Sequence, residues 1–103
     1  MSTKKKSDAM KFLESVVGEL TFGGLIEAMR QAEEMSQVEF AKKLGISKQH
    51  LCDIEKGRKF VSPERAAKFA KILGHSEPSF VALVLQDIVN QGGLKLKVSV
   101  EAA

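Results

Sequence analysis

Residues 36 to 57 hold two short amphipathic runs separated by one glycine, and this spacing constrains the fold more than any other feature of the chain. Ser36, with Glu39 three residues on, forms a capping box in which each side chain satisfies the other residue's orphan backbone N–H. Met35 and Phe40 stand at the flanking staple positions. A helix therefore begins after Ser36. It ends at Leu44, because Gly45 takes the left-handed C-cap conformation at little steric cost and Ser47 supplies the next N-cap. A turn of about three residues forces the two helices to cross at a large angle and lets the second one project from the body.

The second helix has two unlike sides. At about 100° per residue, Leu51 and Ile54 fall together with Ser47 and Glu55 near them, while Gln49 and Asp53, and more obliquely Lys48, His50 and Cys52, occupy the rest. The apolar side packs and the polar side is presented. Two capped helices in this relation are a helix-turn-helix, whose second helix can enter a major groove.

The run resembles the phage-repressor-like (Xre/Cro) helix-turn-helix family, in which a Gln opens the second helix and Ile-Glu-x-Gly closes the third. The resemblance covers about residues 22 to 86 and includes Arg30, Gln37, Ala41, Gly45, Ile46, Glu55, Gly57 and Pro63. It implies an all-α, lambda-repressor-like five-helix domain that binds double-stranded DNA. It further implies that Lys48, Gln49 and Asp53 face bases, that Gln37 and Lys56 touch phosphates, and that Arg30 pairs with Glu55 inside the fold. Bidentate geometry would match Lys48 to guanine and Gln49 to adenine. Asp53 departs from the family, which often has a neutral or basic residue there; an acid can accept from cytosine N4 but repels phosphate.

The distribution of charge agrees with that reading. The chain is +3 overall, yet between Lys42 and Lys71 nine Lys and Arg stand against three acids, so this segment is +6 and the remainder −3. A basic segment that coincides with the motif is the footprint of a phosphate-binding surface, and Arg58 and Lys59 in the loop after the reader helix join the expected phosphate contacts. At 103 residues and 44% hydrophobic, the chain can bury one small core without a separate effector-binding module. One Cys excludes an internal disulfide, and no apolar run has the length of a membrane span or the arrangement of a signal peptide, so a cytoplasmic location is expected.

Along the chain, residues 1–7 carry Lys4, Lys5 and Lys6 without an apolar anchor and read as a disordered basic tail that can also lie along phosphates. Residues 8–20, with Phe12, Leu13, Val16, Val17 and Leu20 at helical spacing, read as a helical extension of the family core. The DNA-binding domain spans 21–91. Its first helix runs from about Thr21 or Phe22 to Glu34 with Leu25, Ile26, Met29 and Ala32 inward; Gly23 and Gly24 read as helix punctuation. Ser62 and Pro63 open a helix that Gly74 closes after Leu73. The last helix, from Ser76–Pro78 to about Asn90, has apolar residues on most of its circumference, which calls for a second subunit to cover it. Phe80, Val84 and Ile88 are its expected dimer contacts.

Residues 94–100 alternate apolar and polar with period two, as a half-buried strand does. A lone strand leaves its backbone groups unpaired, so its partner must come from another chain. The twofold mate is one answer, through Leu94, Leu96, Val98 and Val100; a different protein extending its own sheet is the other.

Other chemistry finds little support. His50 and Cys52 diverge on their helix and His75 is isolated, so no metal site or cofactor is expected, and Cys52 reads as a reduced, half-exposed thiol. No nucleophile has a neighbouring base, and Glu55 reads as the structural partner of Arg30. The expectation is a homodimeric repressor of an inverted-repeat operator, with no enzymatic activity. The alternative is an antitoxin that neutralises a toxin protein and represses its own operon.

Overall fold

The computed structural model describes residues 20–103. The expected basic tail and all but the last residue of the helical extension lie outside the described residues. Five helices succeed one another along the described chain: α1 (Phe22–Ala32), α2 (Gln37–Leu44), α3 (Lys48–Glu55), α4 (Pro63–Leu73) and α5 (Glu77–Gln91). Each begins at a Ser or Thr whose hydroxyl accepts a backbone N–H of the first turn: Thr21, Ser36, Ser47, Ser62 and Ser76. The Ser36–Glu39 capping box forms in both directions, and Gly45 closes α2 at φ 75°. Hydrogen bonding to Ser36, from its N–H first and its hydroxyl next, holds the Glu39 carboxyl below its ordinary pKa.

α1 packs on α3 and α5, α2 on α3 and α4, and α4 on α5. The core draws from every helix: Phe22 and Ile26, Phe40 and Leu44, Leu51 and Ile54, Ala66 and Phe69, Phe80 and Val84, with Val61 from the loop. Phe22 and Phe80 meet edge to face, with ring centroids 5.6 Å apart. The Phe22 N–H, which has no partner inside its own helix, donates to Asp87 of α5 at 2.9 Å. Burial pushes the Asp87 carboxyl above its usual range, and that hydrogen bond pulls it partly back.

Two sequence expectations need correction, and a third finds no support within the chain itself. α1 stops at Ala32, before the expected Glu34, because Glu34 is left-handed at φ 55° and the chain turns there to reach the Ser36 cap; Ala32 is exposed. Gly23 is no punctuation, since it lies inside α1 and is buried against α3. A Cβ at Gly23 would fall 2.0 Å from the Ile54 carbonyl oxygen, so only glycine permits this approach of α1 to α3. Finally, residues 94–100 form no strand, because no extended neighbour lies beside them among the described residues; a side chain of α5 takes part of their backbone instead.

Gly23→Ala should lower stability by about 1–3 kcal/mol through overpacking, in spite of the roughly 1 kcal/mol that alanine ordinarily gains over glycine inside a helix. Urea denaturation of the variant and the parent checks this. A gain in midpoint would mean that α1 and α3 can part without cost.

Candidate nucleic-acid interface

The α2–turn–α3 unit is held from behind by one carboxylate. Glu55, at the end of α3, has a side chain only 1% exposed. Arg30 of α1 donates to it from Nε at 2.8 Å and from Nη2 at 3.1 Å, a fork that matches the two carboxylate oxygens. Gln37, the first residue of α2, donates from Nε2 to Glu55 Oε1 at 3.0 Å. Arg30 Nη1 also donates to the Met35 carbonyl at 3.1 Å, just before the α2 cap. Pairing with Glu55 pushes the Arg30 pKa up, against the opposing effect of burial. The Arg30–Glu55 pair that the resemblance implied is thus present, whereas Gln37, expected at phosphate, spends its amide nitrogen inside the fold.

With Leu51, Ile54 and Glu55 buried, the opposite side of α3 is open: Lys48 and Gln49 are exposed, as are Lys56, Arg58 and Lys59 beyond its C-terminus. Asp53 is the exception among the expected base-facing residues. It is only 9% exposed, and its Oδ1 accepts from Gln49 Nε2 at 3.1 Å, one helical turn away. Arg58 Nε stands 3.7 Å from one Asp53 oxygen and Lys59 Nζ 3.8 Å from the other. The Asp53 carbonyl also accepts the Arg58 and Lys59 backbone N–H groups, which folds this loop back onto α3. Asp53 therefore lies beneath the basic surface and organises it. His50 sits beside Arg65 of α4, 3.4 Å from its Nη1, and burial, then the charges of Arg65 and Lys59, lower its pKa.

The expected dimer residues divide. Phe80 and Val84 are each 2% exposed in the chain's own core and are not open to a partner. Ile88, Leu94 and Leu96 are 46%, 54% and 61% exposed, and Val98 and Val100 are half-buried. Sequence reasoning missed Gly23, Asp87 and Gln86, whose roles depend on residues distant along the chain.

The comparisons with known proteins agree with this geometry. Residues 26–80, more than half of the chain, match the helix-turn-helix family model. The chain belongs to the phage-repressor-like helix-turn-helix family. It is also 34% identical over 71 residues to the ImmF control region 10 kDa protein of Bacillus phage phi105, an alignment that covers 69% of this chain and 78% of that protein. No solved structure matches. Membership in this family makes the chain a DNA-binding transcription regulator. No described helix is long and apolar enough to cross a membrane.

Because Glu55 is almost wholly enclosed, Arg30→Met should cost about 3–5 kcal/mol, toward the lower end since Gln37 still donates to the orphaned carboxylate. Replacing both Arg30 and Glu55 by apolar residues should recover much of that loss. Thermal melts of the single and double variants test the pair. Strictly additive losses would show that the two residues do not interact.

Proposed function

We propose that the chain is a dimeric repressor that occupies an inverted-repeat operator and blocks transcription by occlusion. Lys48 and Gln49 read base edges, while Lys56, Arg58 and Lys59 hold phosphates. The observation that supports this division is the single open face of α3: its reading residues and the cations of the following loop are exposed together, and Leu51 and Ile54 of the same helix are turned inward. Gln37 serves by orienting α3 through Glu55. Asp53 serves through Gln49 and the two cations, with no base contact of its own. In the dimer the two copies of α3 lie about 34–36 Å apart, one turn of B-DNA, so that both enter successive major grooves. The exposed Ile88 of α5 and the chain beyond Gly93 supply the subunit contact.

Base readers and phosphate holders fail differently when removed. Gln49→Ala should cost roughly 1–3 kcal/mol on the operator and little on scrambled DNA. Lys56→Ala should weaken binding to every duplex and flatten the salt dependence by about one unit. Asp53→Asn should do the reverse of Lys56→Ala on scrambled DNA, because Arg58 and Lys59 lose the anion that offsets them. Its salt dependence should steepen by up to about one unit, whereas the ratio of operator to scrambled affinity should change little, because the asparagine Oδ1 still accepts from Gln49 Nε2. Competition binding on both duplexes over a range of salt separates the three. Equal losses on both duplexes for Gln49→Ala and Lys56→Ala would overturn the assignment.

A further inference from the structure

The backbone after α5 has one occupied edge and one open edge. Gly93, at φ 73°, reverses the chain, with its N–H on the Asn90 carbonyl at 3.0 Å and the Leu94 N–H on the Val89 carbonyl at 3.3 Å. The reversed chain then meets the Gln86 side chain. Gln86 Nε2 donates to the Leu96 carbonyl at 2.8 Å, and the Val98 N–H donates to Gln86 Oε1 at 2.7 Å. A carboxamide carries the same donor and acceptor as a peptide unit. By bonding the residues on either side of Lys97, it reproduces the bridge that a neighbouring parallel strand would make. Asn90 Oδ1 takes another Nε2 hydrogen at 2.9 Å, which fixes the orientation of the amide.

In a pleated chain, successive residues aim their backbone groups at opposite edges. Gln86 takes the edge of residues 96 and 98, which leaves that of Lys95, Lys97, Ser99 and Glu101. Among the described residues none of those four has a backbone partner. An open edge of this kind is a template for another strand.

Resting on the dimer reading above, we propose that its occupant is the same edge of a second copy, antiparallel, in the register that sets Val98 against Val98 of the partner subunit. Only registers that pair odd residues with odd ones bring two open edges together. Lys97 against Lys97 of the partner subunit, or against Lys95 of the partner subunit, would oppose like charges. A register centred on Ser99 would set Lys97 against Glu101 of the partner subunit without like charges, but it faces Leu96 with Ala102 of the partner subunit and leaves Leu94 unopposed. The central register sets Lys97 against Ser99 of the partner subunit and Lys95 against Glu101 of the partner subunit, so that two opposite-charge pairs flank the axis. On the other face it sets Leu96 against Val100 of the partner subunit and joins the exposed Leu94 and Leu96 into one apolar strip, which suits the alternation of residues 94 to 100.

The test uses the full chain carrying Cys52→Ser, with Val98→Cys or Lys97→Cys added, under mild oxidation, and light scattering and circular dichroism on each variant. Val98→Cys should form a linked dimer at least about tenfold faster than Lys97→Cys. Opposed residues of a non-hydrogen-bonded pair lie about 4.5 Å apart at Cα, within disulfide reach, whereas the two residues at 97 are diagonal neighbours at about 7–8 Å. Lys95→Glu should weaken the dimer several-fold, and adding Glu101→Lys should restore it to within about twofold. Faster linkage at Lys97 would overturn the register. A dimer in which neither cysteine links would overturn the ribbon while sparing the dimer, and a monomer by light scattering would overturn the dimer reading itself. Operator binding by the parent chain reports separately on the DNA-binding reading.

Discussion

Everything that α3 presents depends on where Glu55 is held. A carboxylate taken almost wholly out of water is tolerated only if charge and hydrogen bonds replace its hydration. Here α1 supplies the fork of Arg30 and α2 supplies Gln37, so three helices converge on one anion. Arg30 also reaches the Met35 carbonyl, which ties the entry to α2 to the same point. An apolar trio could fill this space with equal or greater stability. It would lack the directional hydrogen bonds that, with Leu51 and Ile54, hold α3 at the rotation that leaves Gln49 outward.

The surface on the other side of α3 sets a second electrostatic problem. Lys48, Lys56, Arg58 and Lys59 repel one another before any phosphate arrives, and a cluster of one sign destabilises the compact chain. Asp53 answers this from beneath, with its oxygens 3.7 and 3.8 Å from Arg58 and Lys59. Both cations are more than half exposed, so these contacts are weak enough to exchange for phosphate oxygens. The hydrogen bond from Gln49 is local, spans one helical turn, and limits the rotamers from which that side chain begins a search for its base.

What the sequence made legible was local. Each helix start follows from a hydroxyl one residue ahead of it, and Gly45 and Gly74 end α2 and α4 as short-range rules require. The Arg30–Glu55 pair was legible only through family resemblance, since 25 residues separate its members. Gly23 was misread because nothing in its neighbours announces the Ile54 carbonyl; the clash that forbids a Cβ belongs to another helix. Asp53 was misplaced for a related reason. Helical periodicity gives a direction around α3, but the loop that folds back over that direction is set by carbonyl contacts the periodicity does not encode. Phe80 and Val84 were placed at a subunit contact because an apolar circumference does not say which neighbour covers it, and α4, on which α5 chiefly packs, supplies the cover together with Phe22 of α1. The alternation of residues 94 to 100 has the period of a strand, yet no strand forms among the described residues, because a strand is a relation between two segments and the chain alone provides one.

That missing relation bears on DNA as well as on assembly. α5 is fastened to the core by Phe80 and Val84, by the edge-to-face contact with Phe22, and by Asp87 on the Phe22 N–H. Gln86 in turn fastens the tail to α5. The tail is therefore connected to α3 through packed, hydrogen-bonded contacts, and in the proposed dimer a displacement at the axis would be felt at the reading surface. In an antiparallel ribbon the next register that preserves the same edges shifts one subunit by two residues, about 6.6–6.8 Å. Successive base pairs are about 3.4 Å apart, so in the proposed dimer the component of such a shift along the DNA would displace the second reader helix by at most roughly two base pairs from a half-site spacing of one turn. In the proposed dimer the choice between Ser99 and a lysine as the partner of Lys97 would therefore also bear on operator spacing.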